Sequence, residues 1–502
     1  MKNFRKSEKA DVCFLLEGTF PYVSGGVSSW VDQIIRGFPH LTFAIVFLGS
    51  REEDYAEPRY ALPDNVVHLE AHYLHTPQSK PPISPRKGNA KAFADIRALH
   101  DQYRQPEQRA QDELLSKVME HQRCGRFTES DFLYSHESWH YITEQYREFC
   151  TDPSFIDYFW AVRIMHTPLW SLMRLSESLI DARVYHTVST GYAGFLGALV
   201  KRRTGRPLIL SEHGIYTKER KIDLFQAQWI RDNRGILEQE DSEVAYFREL
   251  WIRFFEALGR ECYHSADQII ALYETNRLRQ ISDGAPAEKT LCIPNGINLK
   301  RLAPLRDQRT EEIPLVVCLI GRVVPIKDIK TFIRSIRTIA QIMPNIEAWI
   351  AGPEDEDRAY AQECRNLAQS LNLDQHVKFL GFQKIDVILP KIGLIVLSSI
   401  SEALPLVILE GYAAGVPCVS TDVGSCRQLI EGFGDEDRAL GVSGEVVGIA
   451  DSDSLAEAII RLLGDPIQWK KAQTAGIRRV ETYYTQDHMF DQYRAVYEST
   501  LQ

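Results

Sequence analysis

Short apolar runs that end on Gly or a polar residue alternate along this chain with stretches whose apolar positions recur every three to four residues. That is how βα units of a parallel sheet read. The apolar runs predict strands at Asp11–Leu16, Leu41–Phe47, Arg183–Thr187, Pro207–Leu210 and Gln268–Leu272. The rhythm then repeats, with strands at Leu315–Ile320, Ile346–Ile350, Val377–Leu380, Leu394–Leu397 and Pro417–Ser420. The expected fold class is α/β, with two Rossmann-like doubly wound domains facing across a cleft and a largely helical insertion in the first.

The polar segment NLKRLAPLRDQRTEEI, Asn298–Ile313, is the expected link. The expected division is 1–298 for an acceptor-side domain, 299–475 for a donor-side domain, and 476–502 for a C-terminal helical segment that crosses back to the first. The insertion is expected at about 51–181. There a Pro-rich stretch, TPQSKPPISPRKG, precedes helical segments, and FIDYFWAVRIMHTPLWSLMRL is dense in aromatics. Aromatic stripes build core more often than binding surface, so packed helices are the plain reading and an acceptor or partner surface the functional one.

The length of 502 residues favours two domains, and 44 % hydrophobic with 25 % charged residues leaves no room for extensive disorder. A net charge of -10 argues against a nucleic-acid groove, although local donors can still hold a small anion. Nine scattered cysteines without a C-x-x-C pair point to a reducing compartment and no structural zinc. The apolar run near the N-terminus ends at Glu17 and reads as a strand, not a signal peptide. No apolar run approaches the roughly 18 residues of a membrane span. The expected location is cytoplasmic, with any recruitment to the inner face of the membrane left to partners.

Candidate chemistry concentrates in LIVLSSISEALPLVILEGYAAGVPCVSTDVGS, Leu394–Ser425. A strand runs into a loop carrying Glu402, and Pro405 suits the first position of a helix. The free N–H groups at Leu406 and just after would favour an anion such as a diphosphate. That helix is apolar nearly all round except for Glu410, a carboxylate that needs a partner if it is buried. Glu410 lies roughly 7 Å along the axis from Pro405, so Glu402 and Glu410 bracket the phosphate position.

The segment IPLVVCLIGRVVPIKDIKTFIRSI places Arg322 and Lys327 between a strand and a helix that Asp328 caps, at the sheet edge where ligands bind. A guanidinium fork and a mobile ammonium could neutralise a UDP-like leaving group without a metal. In the first half, EGTFPYVSGGVSSWVDQII sets Gly25 and Gly26 before a helix, which suits close approach of a ligand or a simple tight turn. His213 follows a strand beside Glu212. A lone His is more often structural, but this position also suits a reaction centre.

The acidic runs Asp355-Glu356-Asp357, Asp435-Glu436-Asp437 and Asp451-Ser452-Asp453 fit the letters of a metal-binding D-x-D. Helix capping or solvated loops explain them better, and no metal is expected.

Together these residues resemble the retaining, two-Rossmann-domain glycosyltransferases of the GT-B class, family 4. The resemblance rests on the glycine pair after the first strand, G-R-x4-K at Gly321–Lys327, P-N-G at Pro294–Gly296, A-G-P at Ala351–Pro353 and E-x7-E at Glu402–Glu410. It implies that Arg322 and Lys327 bind the donor diphosphate, Glu410 the ribose hydroxyls and Glu402 the transferred sugar, with His213 near that sugar. Leu404, Pro405, Leu406, Gly25 and Gly26 complete the implied donor contacts. The implied substrate is a nucleotide sugar, UDP-linked by expectation, with no cofactor, no metal, a glycan as acceptor and no nucleic acid. Where family members often read E-G-x-P, this chain reads Glu402-Ala403-Leu404-Pro405.

The segment LLEGTFPYVSGGVSSWVDQII resembles more narrowly the cytosolic glycosyltransferases of bacterial Pel exopolysaccharide synthesis, which implies membrane-embedded Pel synthase components as partners. A nucleotide-sugar epimerase or phosphorylase, or a non-catalytic nucleotide-sugar-binding subunit of a membrane synthase, are the competing readings on this architecture.

Overall fold

The computed structural model describes residues 6–74, 86–104, 112–151, 153–226 and 241–501. They form two compact units, Met1–Ala271 with Arg277–Cys292 and Val496–Gln502, and Leu272–Asn276 with Ile293–Ala495. The change of unit thus comes at Cys292, a few residues before the expected boundary at 298. The segment from 476 stays in the second unit as far as Ala495. Among the described residues no helix is long and apolar enough to cross a membrane.

In the first unit the strands are β1 (Lys9–Glu17), β2 (Phe43–Gly49), β3 (Val66–Tyr73), β4 (Asp181–Thr187), β5 (Leu208–Glu212), β6 (Gln268–Ala271) and β7 (Thr290–Cys292). They form a parallel sheet in the order β3-β2-β1-β4-β5-β6-β7. The central strand β1 pairs Val12 with Phe43 on one side and Val184 on the other, and its run Val12–Leu16 is fully buried. A parallel strand covered on both faces has no polar side, which is why such strands are legible as unbroken apolar runs.

The strands that this criterion misses are β3 and β7, both at sheet edges. In β3, VVHLEAHY, Val67, Glu70, His72 and Tyr73 are only half-buried, and the polar side chains break the apolar run. This corrects the expected insertion, since β3 lies within 51–181 and belongs to the sheet. The inserted helices come after it, at Ala90–Arg104, Asp112–Arg123, Glu129–Tyr134, His136–Phe149 and Phe155–Ser178. The Pro-rich stretch before them lies largely outside the described residues. Thr128 and Asp131 form a reciprocal capping box, and Ser135 and Ser154 cap the two helices that follow.

In the second unit β8 (Val316–Ile320), β9 (Glu347–Ala351), β10 (Val377–Gly381), β11 (Leu394–Leu397), β12 (Cys418–Thr421) and β13 (Gly444–Val447) form a parallel sheet in the order β10-β9-β8-β11-β12-β13. The one strand not anticipated, β13, is again at an edge. The helix Ile329–Ile342 buries Ile329, Phe332, Ile333, Ile336 and Ile339, the apolar positions of its 3.6-residue period. The P-N-G turn ties the chain's last third to this unit. Ile297 bridges to Thr485 in parallel, and a Cβ on Gly296 would stand 2.3 Å from the Thr485 carbonyl oxygen, so only glycine allows the approach.

Two features of the C-terminal third depend on long-range partners. Tyr497, which belongs to the first unit, is hydrogen-bonded to His186 Nδ1 at 2.9 Å and packs edge-on against Phe38. Asp437, expected in a solvated loop, is instead 4 % exposed and accepts from Arg479 Nε at 2.6 Å. Arg479 is fully buried, and its other nitrogens donate to the carbonyls of Ile430, Asp437 and Gly441 and to Ser443 Oγ. Removing one member of such a pair leaves a buried charge without compensation. Arg479→Ala is therefore expected to destabilise the protein by about 3–5 kcal/mol, read as a lower urea midpoint. A change of only a few tenths would contradict the assigned role.

Candidate functional site

Neighbours β8 and β11 are joined to the rest of their sheet by chains that leave in opposite directions, and such a switch point opens a crevice outside the strands' carboxyl ends. Gly321 and Arg322 follow β8 there, and Ser398–Glu402 follow β11. Lys327 Nζ donates to Glu402 Oε1 at 2.5 Å, and Ser399 Oγ donates to the same oxygen at 2.6 Å. Glu402 Oε2 accepts nothing from the described residues.

The loop carrying Glu402 is pinned from both neighbouring strands. Ser398 Oγ donates to the Lys327 carbonyl at 2.9 Å, the Ile400 N–H to the Ile326 carbonyl at 2.9 Å, and Thr421 Oγ1 to the Ser399 carbonyl at 2.7 Å. Gly424 closes the other side with φ +56°, and a Cβ there would stand 2.3 Å from the Glu402 carbonyl oxygen and 2.5 Å from that of Ala403. Neither Ser399 nor Gly424 was singled out by the sequence reading. The only signal was a glycine between a strand end and a helix start. The A-G-P motif has a similar cause, because a Cβ on Gly352 would overlap the Gly321 carbonyl where β8 and β9 end side by side.

Arg322 Nη1 donates to both carboxylate oxygens of Glu356 at 2.7 Å, with the guanidinium more than half exposed. An exposed pair of this kind contributes little and exchanges readily for a better anion. The run proposed as a rival metal motif is thus occupied by other work. Glu356 holds Arg322, Asp357 accepts from the Tyr360 N–H to cap a helix, and Asp451 does the same for Ser454.

The helix Leu406–Ala413 begins one residue later than expected, so Pro405 is its N-cap and not its first residue. Leu404 is buried beneath the tip, and the Ile408 N–H bonds back to the Pro405 carbonyl. The N–H groups of Leu406 and Val407 are left without an intrahelical acceptor. On the same helix Glu410 is mostly buried, 3.6 Å from Arg301 Nη2, while Arg301 Nε stands 3.7 Å from Asp386. Burial pushes the Glu410 carboxyl up to about 7. Arg301 opposes that shift and Asp386 adds to it. The partner demanded by the sequence reading is Arg301, which that reading placed in the interdomain link without a role.

In the first unit His213 follows β5, 7 % exposed, with its ring edge-on to Trp30 at 4.7 Å. Burial depresses its pKa to about 3, so the imidazole is neutral, and its Nε2 finds no partner among the described residues. Glu212 does not serve it. That carboxylate accepts from Tyr263, Gln280, Thr190 and the Tyr216 N–H. Gly25 and Gly26 precede the helix that carries Trp30, and a Cβ on either would meet nothing within 4 Å. Gly25 is extended, so neither packing nor backbone conformation demands glycine there. At the end of β1, Glu17 accepts from Tyr216 Oη at 3.1 Å and from the Ala193 N–H at 3.3 Å, a cluster the sequence reading passed over.

Residues 10–288 match the family model described as "Domain of unknown function (DUF3492)", and residues 305–479 match that described as "Glycosyl transferases group 1". The chain is 33 % identical over 205 residues to an exopolysaccharide phosphotransferase of Streptomyces coelicolor, a match covering 40 % of this chain and 20 % of that protein. It is 24 % identical over 301 residues to the UDP-Gal:alpha-D-GlcNAc-diphosphoundecaprenol alpha-1,3-galactosyltransferase of Escherichia coli, covering 57 % of this chain and 67 % of that one. The chain thus spans a fifth of the first relative's length and about two thirds of the second's. The crystal structure of HepE from Anabaena in complex with UDP superposes with a TM-score of 0.56 at 15 % identity, over 97 % of this chain and 100 % of that one, a likeness of fold.

Gly424→Ala forces a left-handed residue with a Cβ into the Glu402 loop, and a loss of about 1–3 kcal/mol is expected in thermal unfolding. Glu410 gives a pH signature. Its folded pKa, about 7, lies above the ordinary 4.5, so the cost of its charge is absent at low pH and grows as pH rises through that window. Glu410→Gln cannot ionise, so between about pH 4 and pH 8 its stability relative to the unmodified protein should improve by up to about 3 kcal/mol. A pH-independent difference in urea titrations would refute the assigned shift.

Proposed function

This chain belongs to the DUF3492 family through residues 10–288 and carries a region matching the glycosyl transferases group 1 at 305–479, and we propose that it is a glycosyltransferase that moves a sugar from a UDP-sugar to a growing exopolysaccharide glycan with retention of configuration.

The observation that carries this reading is the state of Glu402. Lys327 and Ser399 hold one carboxylate oxygen, and the other is left to accept a sugar hydroxyl. The ammonium of Lys327 has three N–H donors, of which Glu402 takes one, so two remain for phosphate oxygens. Arg322 exchanges its exposed partner Glu356 for the diphosphate, whose oxygens also take the N–H groups of Leu406 and Val407. Glu410 accepts the ribose hydroxyls, and a donated hydrogen bond with the charge of Arg301 behind it favours the ionised carboxylate.

In the transfer step the bond from the anomeric carbon to the leaving phosphate oxygen breaks. The acceptor oxygen bonds to that carbon on the same face, and the acceptor proton passes to the departing phosphate. Arg322, Lys327 and the helix tip stabilise the charge that develops there. In the first unit His213, neutral and with a free ring nitrogen, is the candidate for contacting the sugar, and Gly25 with Gly26 for admitting the donor closely.

An exopolysaccharide product is supported by the Streptomyces coelicolor relative's name, and a UDP-linked donor by the Escherichia coli relative and the HepE complex. The narrower reading, a Pel-type enzyme resembling PelF that works with membrane-embedded synthase components, is supported by the N-terminal wording.

Arg322→Ala and Lys327→Ala should each weaken UDP binding by about 1.5–3 kcal/mol in calorimetry. Unchanged affinity in both variants would remove this site. A screen of UDP-, GDP- and ADP-sugars without acceptor, followed by analysis of the products, separates transfer from epimerisation, since only an epimerase alters the sugar under those conditions.

A further inference from the structure

In the second unit the carboxylates of Glu410 and Asp386 share one cation. Arg301, on the helix Leu299–Leu302 that follows the P-N-G turn, stands with Nη2 3.6 Å from Glu410 Oε1 and Nε 3.7 Å from Asp386 Oδ1. Both distances exceed a hydrogen bond. Among the described residues neither carboxylate accepts a hydrogen bond from any donor.

Three groups of this kind do not balance. With both carboxylates ionised the cluster holds two negative charges against one positive, and the hydrogen bonds that would offset the excess are missing. A proton is the simplest remedy. The Asp386 side chain is 46 % exposed on the short helix Ile385–Ile388, whereas that of Glu410 is 17 % exposed on the helix Leu406–Ala413. Water supports the first charge and not the second. The proton therefore belongs on Glu410, in agreement with the proton affinity that burial gives it.

The other elements packed on this helix bring no competing charge. β11 contributes Leu394–Leu397, which has no ionisable group. On the helix Pro466–Tyr483, Arg479 is held by Asp437, Glu481 by Arg306 and Lys470 by Gln473, while Lys471 and Arg478 are exposed. Lys300, beside Arg301, is exposed as well, and Tyr412 on the same helix as Glu410 is bonded to Ser443. The charge on Glu410 is thus governed by Arg301, which favours it, and by Asp386, which opposes it.

We propose that Glu410, Arg301 and Asp386 form one proton-exchanging unit in the nucleoside subsite: Glu410 is neutral in the free protein below neutral pH, and a ribose that donates its hydroxyls to the carboxylate expels one proton to solvent. The inference rests on the reading that Glu410 accepts the ribose hydroxyls. The hydroxyl protons stay on the ribose, the carboxyl proton leaves, and the guanidinium is left facing an ionised partner. Arg301 and Asp386 are positioning residues that act on the ligand through Glu410. Donor affinity consequently rises with pH until Glu410 is ionised in the free protein.

Calorimetry of the full chain with UDP-glucose reads this exchange, because that ligand lacks the second phosphate ionisation, at about pH 6, that UDP would add. Titrations in buffers of different ionisation enthalpy give the protons released per ligand bound. About 0.9 is expected at pH 6 and about 0.1 at pH 8, with affinity roughly tenfold tighter at the higher pH. Glu410→Gln should release none and bind independently of pH. Arg301→Ala removes the cation and should move the midpoint of release to higher pH, while Asp386→Asn removes the opposing charge and should move it lower. A merely structural loss would weaken binding at every pH without shifting the two midpoints in opposite directions, and these shifts decide if Glu410→Gln no longer binds. If UDP-glucose binds and Arg322→Ala weakens it, but no proton is released, Glu410→Gln still releases one, or the midpoints stay in place, this inference falls and the donor site stands. If UDP-glucose does not bind, both fall.

Discussion

Lys327 and Glu402 meet across 75 residues of chain because β8 and β11 are neighbours in a parallel sheet, although β9 and β10 come between them in sequence. Parallel order requires each connection to cross over the sheet, and the reversal of direction at β8 and β11 leaves their carboxyl ends uncovered. The side chains that follow these two strands therefore converge with no element between them. The pinned Glu402 loop, the close approach at Gly352 and the place of Gly424 all depend on that order.

The two carboxylates of the E-x7-E pair sit in opposite electrostatic settings. Glu402 has an ammonium and a hydroxyl on one oxygen at hydrogen-bond distance, so its charge is compensated within the folded protein. Glu410 is buried with a guanidinium 3.6 Å away, beyond a direct hydrogen bond, and its proton affinity rises accordingly. The first is a positioned anion. The second is a buried group whose charge is only partly compensated by its neighbours.

Structural burial of charge follows different rules elsewhere in the same unit. Arg479 and Asp437 are both buried, and nearly every polar atom of the arginine is matched by a carbonyl, a hydroxyl or the carboxylate. Such a network holds the turn at Asp437 to the helix Pro466–Tyr483 without being available to a ligand. Full matching of this kind marks a structural role.

Local features are legible in the chain alone: the central strands, whose two covered faces leave unbroken apolar runs, the helix Ile329–Ile342 with its 3.6-residue stripe, the cap at Asp328, and the demand of Glu410 for a partner. The residues that follow β8 and β11 are legible too, because strand ends and glycines are punctuated in the chain itself. The pairs Lys327 with Glu402, Arg322 with Glu356 and Arg301 with Glu410 emerge only in the folded chain, each joined from separate segments. So do the edge strands β3, β7 and β13, whose half-buried positions dilute the apolar signal. Periodicity records which way a side chain faces along its own element. Which charges and donors then meet is set by the order in which those elements pack, and no local spacing encodes that order.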